Sequence, residues 1–361
     1  MRRAAEVALT FAIAAAGGLA ATAVGLPVPW LIGSALFVAA ANLSGVPIRM
    51  PALVRDAAFV ILGALAGSSV TPDVLHQILL WPASFAIQMA GVFGVIVLTM
   101  LFLRRGLGWD RETAFFASIP GALSLVVATA SQTKADLARV LVVQSVRLLV
   151  LILLLTPFLA WLEGGASGEA TVSRGIGASE LSAATVALFA GTVLFAAFVG
   201  DRLRLPGGIL VGALLASAVL HGSQIAPLAI PDALVLFGLV AIGIVIGERI
   251  RHEHRRELGR LLPVALVALL IGFAAAAVSG VVAHVALGID LGRIAVAYAP
   301  GALEALTAIA YQFNIDPAYV AAHHVVRFVA LSLSIPFLAK WLAGTRRPIE
   351  ATDGDRTRSD A

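Results

Sequence analysis

Residues 120–147 read PGALSLVVATASQTKADLARVLVVQSVR, and residues 300–327 read PGALEALTAIAYQFNIDPAYVAAHHVVR. At an offset of 180, twelve of the 28 aligned positions are identical, and both copies begin with Pro-Gly and end with Arg. Proline removes a helical hydrogen bond and glycine permits close backbone approach, so each copy predicts a break inside an apolar helical segment. A duplicated break followed by a duplicated arginine indicates a pseudo-symmetric membrane protein whose site lies between its halves.

The composition is that of a membrane protein. Of 361 residues, 60% are hydrophobic and 13% are charged, with a mean hydropathy of +0.97, far outside the range of soluble domains. A net charge of +4 would also suit a nucleic-acid partner, but the basic residues fall in short loops, where orientation in the bilayer explains them. We therefore expect the lipid bilayer as a partner and no direct nucleic acid. The absence of cysteine excludes disulfides and Cys-ligated metals.

The duplication extends over nearly the whole chain. Leu26-Pro27 pairs with Leu205-Pro206, and the sequence Pro-Phe-Leu-Ala occurs at 157–160 and again at 336–339. We therefore predict two membrane repeats joined by a Gly/Ser/Glu-rich linker and followed by a disordered cytoplasmic tail. The predicted divisions are 1–162 for repeat 1, 163–180 for the linker, 181–343 for repeat 2 and 344–361 for the tail.

Apolar stretches of about 20 residues predict five spanning helices in each repeat. One broken segment in each repeat is left over, at 112–132 and 294–314. The predicted spans lie near 4–24, 28–46, 53–71, 78–103, 138–162, 181–200, 206–222, 232–249, 262–287 and 318–342.

The basic residues predict how the two repeats are oriented. If each broken segment crossed in addition to five spans, the repeats would be parallel, and the arginine-rich loop at 249–260 would lie outside the cytoplasm, against the usual excess of positive charge inside. If each broken segment re-enters, the second repeat is inverted and 21 of the 25 basic residues lie on the cytoplasmic side with both termini. A variant in which the broken segments cross and another span does not would keep the inversion. The predicted fold is thus an all-α polytopic membrane protein with two inverted repeats, each of five spanning helices plus one re-entrant or crossing broken segment.

Each Pro-Gly break and each arginine is predicted near the middle of the membrane. The breaks lie nine to ten residues in from their loops, about 14 Å at the helical rise, and Arg147 and Arg327 lie about ten residues into their spans. Two half-helix N-termini and two guanidinium groups favour a negatively charged or strongly polar ligand. The structural alternative is that each arginine neutralises Asp136 or Glu304, or caps helix carbonyls.

The two copies differ in their polar residues. Glu304 and His324 in the second repeat take the places of Ser124 and Gln144, which gives that repeat titratable groups suited to proton coupling. Hydrogen bonding between helices is the simpler alternative for both. The predicted substrate- or ion-binding residues are Pro120, Gly121, Ser124, Gln144, Arg147, Pro300, Gly301, Glu304, His324 and Arg327.

Two small-residue motifs predict close helix packing rather than chemistry. They are Gly63-x-x-x-Gly67 and its copy Gly243-x-x-x-Gly247. No cofactor and no metal site are predicted, because the histidines are scattered and a redox metal needs converging ligands. This also argues against an enzyme.

The sequence resembles the AbrB-type integral membrane family over about residues 4 to 343. The matching pieces are Pro-Trp-Leu-Ile-Gly at 29–33, Ile-Pro-Gly-Ala-Leu at 119–123, Ala-Pro-Gly-Ala-Leu-Glu at 299–304, and the stretch from Asp316 to Arg327. Members carry a duplicated domain. The resemblance implies two labels, a regulator of gene expression and an ammonia monooxygenase, and it transfers no catalytic residues.

Three functions remain open from the sequence. Inverted repeats with paired breaks favour a secondary transporter of a small anionic or polar molecule in a bacterial-type inner membrane. A membrane-embedded regulator or sensor would fit the family label and would affect gene expression indirectly. A membrane monooxygenase is the least favoured. A homo-oligomer is compatible with all three.

Overall fold

The computed structural model describes residues 2–70, 81–121, 123–164, 182–205 and 207–343. The predicted linker beyond residue 164 and the predicted tail at 344–361 lie outside the described residues. Nearly all of the described chain is helical, which confirms the all-α class.

The described residues contain seven α-helices in each half, and each helix of the first half has an equivalent in the second. The helices are α1 (Arg2–Ala23), α2 (Pro29–Leu43), α3 (Ala52–Gly67), α4 (Trp81–Leu101), α5 (Arg111–Ser118), α6 (Leu123–Ala130), α7 (Leu137–Leu162), α8 (Ala183–Arg202), α9 (Gly208–Gly222), α10 (Asp232–Gly247), α11 (Arg255–Leu287), α12 (Leu291–Ala297), α13 (Leu303–Gln312) and α14 (Pro317–Ala343). A π-helical turn, Phe102–Gly106, extends α4, and a 3-10 turn, His252–His254, precedes α11.

Equivalent helices begin with equivalent signals. The Asp110 carboxylate accepts a hydrogen bond from the backbone N–H of Thr113 in α5 at 2.8 Å. The Asp290 carboxylate accepts one from the backbone N–H of Gly292 in α12 at 3.2 Å. Gly108 and Gly288 precede these caps with φ of +67° and +66°, a left-handed conformation that glycine adopts without strain. The broken segments therefore begin in the same way in both halves.

Six helices in the described residues are long and apolar enough to cross a membrane. They fall at six of the ten predicted spans, and the described residues thus support a membrane protein. The other four predicted spans are the 15- and 16-residue helices α2, α3, α9 and α10. At 1.5 Å per residue these are about 22 to 24 Å long, shorter than the hydrocarbon core.

Helix α3 packs against α9 through glycine. Gly63 lies against the Leu210 carbonyl and Gly67 against the Leu214 carbonyl, each too close for a Cβ to fit. The contacts advance together along both helices, so α3 and α9 run parallel. The hydroxyl of Ser217 adds a hydrogen bond to the Ala64 carbonyl at 2.6 Å.

Helix α10 packs against α2 in the equivalent way. Gly243 lies against the Leu31 carbonyl and Gly247 against the Ala35 carbonyl, again with no room for a Cβ. These helices also run parallel, and the partner positions in α2 match those in α9 at an offset of 179. The two halves are thus bound to each other by the same contact made twice.

Helices α4 and α11 occupy equivalent positions and pack against each other. Gly91 of α4 contacts Ser279 of α11, and a Cβ at Gly272 would lie 3.5 Å from Val95. The later residue of α4, Val95, thus faces the earlier residue of α11, Gly272. The two equivalent helices are therefore antiparallel.

Candidate functional site

Both Pro-Gly pairs interrupt a helix, as their residue types predict. In the first half α5 ends at Ser118 and α6 begins at Leu123, while Gly121 has φ of +77°. In the second half α12 ends at Ala297 and α13 begins at Leu303. Both prolines are buried, so the breaks lie inside the protein rather than at its surface.

Arg147 of α7 holds the first break. It is 5% exposed, and its Nη2 donates to the Ile119 carbonyl at 2.8 Å and to Oε1 of Gln144 at 3.2 Å. Gln144 in turn donates to the Phe116 carbonyl at 3.0 Å. Both carbonyls lie at the C-terminal end of α5, where backbone oxygens lack helical partners. Gln144 and Arg147 supply hydrogen bonds to two of them.

Arg327 of α14 holds the second break and also touches the first. Its Nη1 donates to the Ala299 carbonyl at 2.7 Å and its Nη2 to the Gly301 carbonyl at 2.5 Å. A Cβ on Gly121 would lie 3.3 Å from Nη2 of Arg327 and 3.3 Å from the Gly301 carbonyl oxygen. The two breaks therefore meet at this guanidinium.

Of the two carboxylates considered as partners of the arginines, only Glu304 lies in the same cavity as Arg147 and Arg327. Asp136 caps α7 and pairs with Arg139 at 3.1 Å. Neither site arginine has a carboxylate within 4.0 Å among the described residues. The carbonyl-capping alternative describes part of their contacts, because both arginines bond to backbone oxygens at the breaks.

The second repeat contributes a histidine and a glutamate to the site. His324 is 1% exposed, and neither of its ring nitrogens has a hydrogen-bond partner of normal geometry in the described structure. Its ring lies near the Val296 carbonyl, which is equivalent to the Phe116 carbonyl that Gln144 bonds. Glu304 lies half-buried in the first turn of α13.

Nine of the ten predicted site residues line one cavity of about 90 Å³ at the crossing of the breaks. The tenth is Ser124, which lies in α6 and whose side chain is outside the described structure. The other lining residues are Leu123, Leu148, Gly207, Arg249, Ala302, Leu303, Phe328 and Leu331. The structure brings the predicted residues together, and their ligand-binding role stays a prediction.

Arg249 reaches this cavity although the sequence predicts it in a cytoplasmic loop. It lies two residues after the end of α10 and is close enough to Glu304 for their charges to interact. Five arginines follow one another closely in this region, so nothing in their spacing marks Arg249 as different. Only the tertiary structure brings it beside the break.

A family model described as "Transition state regulatory protein AbrB" matches residues 30–343. The chain belongs to the AbrB family. This confirms the resemblance seen at the Pro-Gly segments.

Two relatives of this AbrB-family chain match along most of their length. A protein of Escherichia coli (strain K12) named "Putative regulator AbrB" is 26% identical over 332 residues, which cover 89% of this chain and 92% of the relative. A protein of Bacillus subtilis (strain 168) named "Uncharacterized protein YhjN" is 25% identical over 354 residues, which cover 90% of each.

A second polar cluster in this AbrB-family chain escaped prediction. The Ser84 hydroxyl of α4 lies 2.9 Å from the Tyr298 hydroxyl, 2.5 Å from the Tyr319 hydroxyl and 2.8 Å from Nε2 of His323. These residues are more than 200 positions from Ser84 in sequence, and position 264, its repeat equivalent, is Val. The internal repeat therefore gave no basis for predicting this cluster.

Positive charge predominates in the cavity of the AbrB-family chain. Arg147 and Arg327 are close enough for their charges to repel, and Arg249 adds a third guanidinium. Glu304 is the carboxylate among the cavity residues that the structure describes. Like charges in a low-dielectric interior are stabilised by an anion between them, and each guanidinium can offer further N–H donors.

Proposed function

We propose that the protein is a secondary transporter of a small anionic or polar molecule, which binds between the two breaks. The observation that supports this most is the pair of buried guanidinium groups in one cavity. None of the ion pairs in the described part of the chain involves Arg147 or Arg327. A charge buried in a membrane protein is costly unless it is paired, and an anion would offset both charges at once.

The helix directions support inverted repeats, which are the basis of alternating access in many secondary transporters. Equivalent helices α4 and α11 are antiparallel, so a two-fold axis relating them is perpendicular to both. If these helices span the membrane, the axis lies in its plane. Parallel repeats would make α4 and α11 parallel and α3 and α9 antiparallel. The paired contacts of Gly63 and Gly67 with α9, and of Gly91 and Gly272 between α4 and α11, show the opposite directions.

The proposed location is a bacterial-type inner membrane, with both termini cytoplasmic. Positive charge in the loops supports this orientation. We propose no enzymatic step, and a homo-oligomer is compatible with the arrangement.

The family names favour a second candidate, a membrane-embedded regulator. One relative carries the word regulator in its name. A sensor would bind the same anion in the same cavity without carrying it across, and would act on gene expression through another protein.

Transport in sealed proteoliposomes tests the proposal. Radiolabelled acetate, lactate, succinate, phosphate and sulfate would be offered at fixed pH and membrane potential. We expect at least one to accumulate above empty vesicles, and Arg147→Ala and Arg327→Ala to reduce accumulation by about tenfold or more, as for loss of a charged hydrogen bond.

Folding of each variant would be checked by its thermal melting in detergent. Specific binding of an anion to the wild type with no movement across the membrane would overturn the transporter proposal in favour of the sensor. Uptake that is unchanged in both arginine variants would remove the cavity from the mechanism.

A further inference from the structure

An apolar groove opens between α7, α11 and α12, next to the second break. Its volume is about 560 Å³, and almost all of its lining is apolar. We name it the α7–α11–α12 groove. Its lining residues are Leu154, Leu155, Phe158, Leu162, Leu270, Phe273, Ala274, Ala276, Ala277, Gly280, Val281, Leu291, Ile294, Ala295, Tyr298 and Ala299.

The rim of the groove belongs to the outer surface of two candidate membrane spans. Leu270 is 61% exposed, Val281 57%, and Leu154 of α7 50%. Large apolar side chains exposed on spanning helices face hydrocarbon rather than water. The groove therefore opens toward lipid.

The first repeat fills the equivalent space with its own side chains. An offset of 180 aligns α4 with α11 and α5 with α12, since it matches Gly108 with Gly288, both at positive φ, and Asp110 with Asp290, both helix caps. Three large residues of the first repeat are replaced by small ones in the second. The replacements, by position, are Ile96 by Ala276, Met100 by Gly280 and Phe115 by Ala295.

The large residues are packed in the first repeat. Phe115 is 4% exposed, and Ile96 and Met100 pack against the same hydrophobic cluster, together with Leu331 and Ile335 of α14. In the second repeat the small residues leave the space open. The groove therefore results from specific residue differences between the two repeats.

We propose that the α7–α11–α12 groove binds one acyl chain of a membrane lipid. An apolar space without occupant forfeits the dispersion contacts of its walls, and water gains little in a cavity with almost no polar group. A flexible hydrocarbon chain entering from the bilayer restores those contacts. It would occupy the place that Phe115, Met100 and Ile96 occupy in the first repeat.

The position of the groove connects the lipid to the central site. Tyr298 and Ala299 form part of its wall, and the Ala299 carbonyl accepts a hydrogen bond from Arg327. An acyl chain would therefore press on the backbone that orients this guanidinium. The proposal stands independently of transport, because it concerns lipid binding alone.

Photo-crosslinking tests the proposal directly. The full-length protein would be reconstituted with phosphatidylethanolamine that carries a diazirine in one acyl chain, irradiated, and digested for mass spectrometry. We expect the strongest crosslinks on 270–281 and 291–299. In Ala295→Phe these should fall about tenfold, because the ring fills space that several buried methylenes would occupy.

Matched variants control the experiment. Ala190→Phe places the same ring at an exposed position of α8 and should leave the groove crosslinks unchanged. Ala276→Ile is a second, smaller filling should Ala295→Phe fail to fold. Crosslinks spread evenly over lipid-facing helices, or groove crosslinks unchanged in both filling variants, would overturn the proposal.

Discussion

Arg147 and Arg327 are equivalent in sequence and differ in their contacts. Arg147 bonds one backbone carbonyl and Gln144, whereas Arg327 bonds two carbonyls of its own break and lies beside Gly121 of the other. The difference follows from residue 324. In the first repeat the Gln144 side chain accepts a hydrogen bond from Arg147, and in the second repeat the equivalent residue is His324. The second arginine is thus the more strongly tied to the backbone.

Arg327→Lys should destabilise the protein more than Arg147→Lys. An ammonium group cannot reproduce the planar two-nitrogen contact with Ala299 and Gly301, and one lost charged hydrogen bond costs about 1.5–3 kcal/mol. In Arg147 a single nitrogen bonds the carbonyl, so lysine can replace it at smaller cost. Unfolding of both purified variants in detergent would measure the difference, and equal losses would contradict this account of the breaks.

The Ser84 cluster gives a second prediction at this scale. Ser84→Ala removes partners from Tyr319 and His323 inside the protein, and we expect a loss of about 2–4 kcal/mol because each orphaned polar group costs about 1–3 kcal/mol. Thr99→Val on the same helix is the matched control. The Thr99 hydroxyl is buried without a hydrogen-bond partner in the described structure, so its removal should be neutral or stabilising in the same unfolding assay.

Glycine pairs decide how the short helices pack. In α3 and α10 they let one backbone reach the carbonyls of a neighbouring helix from the other repeat. Close approach of this kind stabilises helices where no water can drive their association. The short helices therefore bind the halves together.

Gly67→Ala should destabilise the protein strongly, since a Cβ there would collide with the Leu214 carbonyl and with Ser217, neither of which is the end of a flexible chain. We expect the free energy of unfolding to fall by about 1–3 kcal/mol, as for overpacking in a core. Gly191→Ala in α8 is the control, because open space surrounds that glycine. It should be neutral or stabilise by up to about 1 kcal/mol through helix propensity. Similar losses for the two in a detergent melting assay would refute the packing role.

At the scale of the whole molecule, the reciprocal contacts connect equivalent parts of the halves. Helix α3 meets α9 as α10 meets α2, and α4 meets its own equivalent. Such a set of contacts has two-fold symmetry. The breaks meet where the halves cross, so the cavity belongs to both repeats.

Cysteine labelling tests the proposed inversion with one matched pair. Val24 and Leu203 are equivalent at an offset of 179, follow equivalent helices, and are 72% and 65% exposed. In this cysteine-free chain, we expect Val24→Cys to react with a membrane-impermeant maleimide from outside and Leu203→Cys only from the cytoplasmic side. Labelling of both from the same side would exclude inverted repeats.

Much of the fold could be predicted from local patterns. Long apolar stretches predict spanning helices because the bilayer demands them. Pro-Gly predicts the breaks because proline removes a helical hydrogen bond and glycine adopts non-helical backbone conformations without strain. The site residues could be proposed because the duplication marks them twice. The predicted spans at α2, α3, α9 and α10 extend past the observed helix ends, because hydropathy averaged over a window does not mark where a helix is capped.

The sequence by itself determined an all-helical membrane protein, its two related halves and the broken segments, since these follow from hydropathy, repetition and backbone chemistry along the chain. Only the tertiary structure decided that Arg249 joins the cavity, that Ser84 gathers three distant side chains, and that one half has an open groove where the other is filled. These depend on contacts between residues far apart in sequence. Their free energy comes from complementary shape and charge across helices, which no local pattern encodes.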